Sequence, residues 1–289
     1  MILVYNANGA TGSGVVKALV AAGVPVRAMV RDAERARAAL PSGVEVIAAP
    51  LLDPAGLQAL LPRALAGVQA LYVATPACPE LPQIEGTLGR AAADAGVARI
   101  VKLGGIRVED DSFPALMGKL HARGWAALRA SGVPVVHLRA GFYMQNLLMA
   151  AGAIRAGVLP ATTGGAAMAF VDARDLARCA AVVLTEAGHE GRSYDLTGPA
   201  ALSFRDVAAI LRDVLHRDVA CLDVDDDSFR AGAIEGGAPP WVVDRLVELY
   251  QHVRTSDWAA TPTDAVQRLT GRAPIDLAHF VQDHRGAFG

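Results

Sequence analysis

The segment Asn6-Ala-Asn-Gly9-Ala-Thr-Gly12 restricts what this chain can fold into more than any other. The apolar run Ile2-Leu3-Val4-Tyr5 feeds it, and helical apolar spacing at Val15, Val16, Leu19 and Val20 leaves it, ending at Gly23. Strand, glycine turn and helix in that order make a cradle for a dinucleotide diphosphate. The unpaired N–H groups and positive dipole end of the helix face the anion, and glycines let the backbone approach it. Two registers are available. From Gly9 the spacing is Gly9-x-x-Gly12-x-Gly14, which is not the fingerprint; from Asn6 it is Asn6-x-x-Gly9-x-x-Gly12, with asparagine in the first glycine position. The second starts the turn directly after the strand and places Gly12 in the first helical turn. Asparagine is the natural substitute there, because it tolerates left-handed backbone angles better than most residues.

The same rhythm continues along the chain. Val24, Val26, Ala28 and Val30 alternate as a second strand, followed by Arg31-Asp32 and an Ala/Arg-rich helix. Val44–Ala48 reads as a third strand, and Asp53-Pro54 as a helix start with proline at its first position. Val68–Ala74 is a buried strand ending at Thr75-Pro76, Arg99–Leu103 a fifth and Val133–Arg139 a sixth, with helices between. Such alternation predicts an α/β fold, a doubly wound parallel sheet of the Rossmann type with its crevice at the carboxyl ends of the strands. Residues 1–150 are expected to form this domain. Residues 151–289 are expected to form a smaller, mainly helical lobe that returns one or two strands to the sheet and walls a substrate cleft. Within it Ser203-Phe-Arg-Asp206 resembles a capping box, helices are expected around Trp241–Val253 and Leu277–His284, and Asp223–Asp227 reads as a solvated turn rather than a cation loop.

Composition narrows the function. The net charge of -2 gives no global field for nucleic acid or anionic lipid. Cys78, Cys179 and Cys221 lack zinc or disulfide spacing. No apolar run approaches the roughly 20 residues a bilayer requires. The expectation is a cytoplasmic protein, monomer or homodimer, without nucleic-acid or membrane partners and without a metal, acting on a small molecule.

On these residues the sequence resembles the NmrA-like family of atypical short-chain dehydrogenases/reductases. The resemblance is carried by Asn6–Gly12, Val30-Arg31-Asp32, Ala91–Gly96 with Ile100-Val-Lys-Leu103, and Leu128–Pro134. It extends through His137-Leu-Arg139-Ala-Gly-Phe-Tyr-Met-Gln-Asn146-Leu, Phe170–Asp175 and Tyr194–Pro199. It implies NADP(H) binding, and members range from reductases of quinones, imines or phenylpropanoid ethers to cofactor-sensing regulators. The implied cofactor contacts are Asn6, Gly9, Ala10, Thr11 and Gly12 at the diphosphate. Thr75 and Pro76 fall beside the bridging phosphates and nicotinamide ribose, with Gly104, Tyr143, Met144 and Asn146 on the nicotinamide side. Fold position independently assigns Arg31, with Arg35 one turn on, to a 2′-phosphate, since the planar guanidinium suits it. Asp32 leaves open a ribose contact in an NAD-dependent protein. The chain departs from the family at Asn6, at Pro50 where an acidic residue is common, at Gly104-Gly105 in place of serines, and at Trp125 in place of a glutamate.

None of Tyr5, Tyr72, Tyr143, Tyr194 and Tyr250 has lysine four residues later, so the usual Tyr-Lys proton relay is absent. Hydride transfer remains open because the cofactor carries the hard chemistry. Candidate catalytic groups are His121, Lys119 and Tyr143, with His121 offered as proton donor. Phe142, Leu147 and Trp241 are candidate substrate contacts. The expected activity is an NADP(H)-dependent reduction of a small conjugated or aromatic substrate (quinone, enone, imine or carbonyl). The alternatives are an NADP-sensing protein without turnover and a non-redox enzyme on the same fold.

Overall fold

Apolar runs and helical stripes alternate through the first half of the chain, and each run becomes a strand of one sheet. The computed structural model describes residues 1–106, 108 and 112–289. Its first elements are β1 (Ile2–Tyr5), α1 (Gly12–Ala21), β2 (Val26–Val30), α2 (Ala33–Ala39), β3 (Glu45–Ala48) and α3 (Pro54–Ala64). Then come β4 (Ala70–Val73), α4 (Leu81–Asp94), β5 (Arg99–Gly105), α5 (Leu116–Arg129) and β6 (Val135–Ala140). The later chain forms β7 (Phe142–Tyr143), a 3-10 helix (Met144–Ala150), α6 (Ala151–Arg155), β8 (Val158–Ala161), β9 (Met168–Val171), α7 (Ala173–Thr185) and β10 (Ser193–Leu196). It closes with β11 (Ala201–Leu202), α8 (Phe204–Leu215), β12 (Ala220–Asp223), α9 (Asp226–Glu235), α10 (Pro240–Thr255), α11 (Ala265–Thr270), α12 (Leu277–Asp283) and α13 (Arg285–Phe288).

Strand starts are later than alternation alone predicts, for a local reason. The Val24 N–H bonds the Leu19 carbonyl at 3.0 Å and the Val68 N–H bonds the Leu65 carbonyl at 3.0 Å. Both residues are therefore spent closing the turn after a helix, and pairing begins two residues on. Asp53 caps α3 by accepting the Ala55 N–H, with Pro54 at the first helical position, as the sequence reads.

The main sheet runs β10-β6-β5-β4-β1-β2-β3, with β1 parallel to both β2 and β4. Strand order therefore reverses between β1 and β4, the switch point at which doubly wound sheets open a crevice. Two compact units account for the packing: Met1–Phe113 with Gly118–Arg139 and Ala173–Asp195, and Pro114–Met117 with Ala140–Asp172 and Leu196–Gly289. The segment holding α7 and most of β10 thus belongs to the first unit although it lies beyond residue 150. Gly14 explains part of this, since a Cβ there would stand 2.8 Å from the Ala177 Cβ on α7. The glycine outside the fingerprint register is the one that lets α1 and α7 touch.

The second unit carries the small sheets β11-β9-β7 and β12-β8 with the remaining helices. Its core is aromatic: Phe142 lies 6.4 Å from Phe170 and 6.3 Å from Tyr250, and Phe204 packs edge-on against both of those rings. The capping box at Ser203 and Asp206 forms on α8. The acidic run is exposed at Asp223, Asp225 and Asp227, and it is also paired. Asp223 pairs with Arg205, Asp225 caps α9 through the Ser228 N–H at 2.7 Å, and Asp226 takes Arg254 at 2.7 Å. That arginine holds the Asp226 carboxyl well below the usual carboxylate range, followed by the Thr162 and Gln251 hydrogen bonds.

Candidate functional site

The turn after β1 is built as the glycine spacing requires. Asn6 adopts φ 59°, the left-handed region, and its carbonyl accepts the Gly9 N–H at 3.0 Å. Its side-chain amide donates to the Ala74 carbonyl at 3.1 Å, tying the turn to the end of β4 across the switch point. Glycine in that position would permit the backbone angle without the tie. A Cβ on Gly9 would meet Asn6 Nδ2 at 2.7 Å, and one on Gly12 would overlap the Asn6 carbonyl oxygen. Ala10 is exposed, and the N–H groups of Ala10, Thr11 and Gly12 take no partner among the described residues. Thr11 is buried, and its hydroxyl oxygen accepts from Tyr72 at 3.1 Å, so its side chain serves the sheet beneath the turn. A diphosphate fits what remains: backbone donors at a helix start, with no side chain in the way.

Arg31 is the first residue after β2 and is exposed. Asp32, the competing acidic residue, is occupied as the N-cap of α2, its carboxylate accepting the Arg35 N–H at 3.0 Å. Arg35 is exposed on the first turn of that helix. The exposed Arg31 guanidinium is thus the freer of the two groups to meet a phosphorylated ribose.

Behind the carboxyl ends of β4 and β5 lies a polar interior that pattern reading did not assemble. Thr75 donates its hydroxyl to Glu85 Oε1 at 3.0 Å, and Lys102 Nζ reaches the same oxygen at 2.7 Å. Glu85 and Lys102 have no solvent exposure. Burial pushes the Glu85 carboxyl up, while Lys102 opposes that shift. His121 on α5 and His137 on β6 face the same cation. Burial first, then Lys102, lowers His121 to about 3, although its ring is only partly covered and it is Nδ1 that lies out of reach of water. His137 is lowered to about 2 by burial, Lys102, Arg139 and His121 in that order. Its ring stacks on Trp125 at 4.4 Å, the position that departs from the family's glutamate. Gly104 has a structural reason of its own, because a Cβ there would overlap His137 Nε2.

Lys119 lies two residues before His121 on α5, about 200° round the helix, so the two side chains do not share a face. Pro76 follows Thr75 half-buried. In the second unit Phe142, Met144 and Leu147 are 7%, 1% and 3% exposed and belong to its hydrophobic core. Tyr143, Asn146 and Trp241 are half-buried, and Trp241 carries the Arg245 guanidinium 5.8 Å from its ring. A groove of about 630 Å³ runs from Gly132 and Val133 to His137 and Arg139, starting at the amino end of β6, and so is not the strand-end crevice. Two signals for the hidden pair were present in the sequence. Lys102 interrupts an apolar strand, and Glu85 falls within the Leu81, Ile84, Leu88 and Ala92 stripe of α4.

A parallel sheet with a glycine turn at its point of reversal and an exposed arginine after the second strand defines a dinucleotide-binding protein of the doubly wound class. The NmrA-like family model matches residues 1–255, and the chain belongs to the NmrA-like family. It is 37% identical to NAD(P)H azoreductase of Xenophilus azovorans, over 100% of this chain and 99% of that protein. It is 38% identical to (4-alkanoyl-5-oxo-2,5-dihydrofuran-3-yl)methyl phosphate reductase of Streptomyces griseus, with the same coverage of 100% and 99%. Among solved structures, the NADPH complex of the quinone oxidoreductase QOR2 from Escherichia coli superposes with a TM-score of 0.86. The two are 27% identical, over 98% of this chain and 99% of that one.

Proposed function

We propose that this NAD(P)H-dependent oxidoreductase uses NADP(H) to reduce a small conjugated or aromatic acceptor, a quinone, enone, imine or carbonyl compound. One observation carries the cofactor half of this reading. Among the described residues the Asn6–Gly12 turn leaves three backbone N–H groups without partners at the switch point, and its two fingerprint glycines leave no room for side chains. Asn6, Gly9, Ala10, Thr11 and Gly12 would hold the diphosphate, and Arg31 with Arg35 the 2′-phosphate. NADPH supplies the hydride when bound. Relatives named as an NAD(P)H azoreductase and a butenolide-type phosphate reductase support an electron-poor conjugated acceptor.

His121 enters this chemistry as an uncharged imidazole. Burial lowers its proton affinity, which favours the uncharged ring near neutral pH and a product proton drawn ultimately from solvent. The reading is tested by following loss of NADPH absorbance against quinones, enones, cyclic imines and azo compounds. Turnover with at least one class supports it. Tight NADPH binding without oxidation by any acceptor would instead favour a cofactor sensor. Arg31→Ala should weaken NADPH binding about tenfold and leave NADH unchanged, the loss of a charge-assisted contact. Equal losses for both nucleotides in a calorimetric titration would remove Arg31 from the 2′-phosphate.

A further inference from the structure

The Glu85–Lys102 pair is costly to bury, and its placement suggests why it is kept. Both side chains are fully enclosed, and removing one partner of such a pair leaves an uncompensated charge, whereas apolar replacements of both are often tolerated. Space for it is reserved on α5: a Cβ on Gly124 would overlap Glu85 Oε2. That oxygen has no hydrogen-bond partner among the described residues, so the contacts of the carboxylate are concentrated on Oε1, where Lys102 and Thr75 meet.

Thr75 stands two residues past the end of β4, next to Ala74, whose carbonyl receives the Asn6 amide. A threonine hydroxyl has one hydrogen and two acceptor lone pairs. Here the hydrogen is already given to Glu85, so the Thr75 oxygen can only accept from anything that approaches it. A phosphate oxygen at neutral pH brings no hydrogen, whereas a sugar hydroxyl does. We propose that Glu85, seated by Lys102, is a positioning residue that fixes Thr75 as an acceptor for a ribose hydroxyl of the bound dinucleotide, and steers it away from the bridging phosphates. The proposal rests on the strand-end crevice being the NADP(H) site. It deepens that reading by assigning the end of β4 to the sugar.

The test measures NADPH dissociation constants by calorimetry, with melting temperatures alongside. Thr75→Val should raise the dissociation constant about fivefold, with Thr75→Ser close to the unaltered protein, as expected for one neutral hydrogen bond. Glu85 is altered only together with Lys102, so that no unpaired ammonium is left buried. Glu85→Met/Lys102→Met should weaken NADPH binding by the same factor as Thr75→Val and add nothing in the Thr75→Val background. Glu85→Gln/Lys102→Met retains an oxygen for the Thr75 hydroxyl and should restore the affinity. A purely structural pair would move melting temperature without that rescue. The proposal is overturned if the double methionine variant binds NADPH like the unaltered protein, or if its effect multiplies with that of Thr75→Val. Failure of the unaltered protein to bind NADPH would instead overturn the cofactor reading beneath it.

Discussion

Lowering the pH from about 7.5 to about 5 should cost the folded protein about 2 kcal/mol at His137 alone. His137 is 1% exposed, stacked on Trp125, and faces Lys102 from β5, His121 from α5 and Arg139 from its own strand. Glu85 on α4 is the carboxylate of this interior, but its Oε1 is already shared by Lys102 and Thr75. The native imidazole therefore stays neutral, with a pKa near 2, while in the unfolded chain it titrates near its ordinary 6.5. The sign follows from that inequality. A base with a depressed native pKa contributes stability that is fully present above about 6.5 and is lost progressively as pH falls toward about 2, because only the unfolded state takes up the proton. His121 adds to the slope with the same sign, by less, since its ring keeps some contact with solvent. Urea unfolding at several pH values would measure the slope directly. His137→Leu should flatten it by about 1.4 kcal/mol per pH unit below the unfolded pKa, whatever it does to stability at neutral pH. An unchanged slope in that variant would show that His137 is protonated in the native state.

The contrast between what the sequence disclosed and what it withheld is physical. Asn6, Gly9 and Gly12 were readable because backbone conformation depends on local residue type: the left-handed angle at Asn6 and the crowding at both glycines come from residues within one turn. Ser203 with Asp206 and Asp53 with Pro54 are local in the same sense. The pairing of the exposed acidic run at Asp223–Asp227 is not legible in sequence because its partners are distant, Arg205 on the preceding helix and Arg254 on α10. Glu85 and Lys102 belong with it. Each broke an apolar pattern visibly, yet that the two breaks meet is a fact of tertiary packing between α4 and β5. The compact units likewise follow three-dimensional contact, so α7 joins the first unit through Gly14 and Ala177, which lie far apart in the chain. Phe142 and Leu147 looked like substrate contacts because apolar residues beside a polar segment serve a pocket or a core equally well in sequence, and here they lie in the core.

Gly12→Ala should weaken NADPH binding by about 30-fold or more and lower the melting temperature by several degrees. In an exposed helix the exchange would normally help, since alanine is the better helix former by up to about 1 kcal/mol. At Gly12 the added methyl has nowhere to go. It would overlap the Asn6 carbonyl oxygen and stand 3.0 Å and 3.1 Å from the Ala7 Cα and carbonyl carbon, all backbone atoms of the turn itself. Relief requires the turn to open, and opening displaces the N–H groups of Ala10, Thr11 and Gly12, which take no partner among the described residues. Misaligning one charge-assisted hydrogen bond costs about 1.5–3 kcal/mol, which sets the expected loss of affinity. Gly14→Ala is the control, because its methyl meets the Ala177 Cβ at 2.8 Å on α7 and not the turn. That variant should lose stability through overpacking between α1 and α7 while binding NADPH nearly as the unaltered protein does. Calorimetric titration of both variants separates the two kinds of damage: if Gly12→Ala and Gly14→Ala bind NADPH equally well at equal stability, the turn after β1 is a packing feature and the diphosphate lies elsewhere.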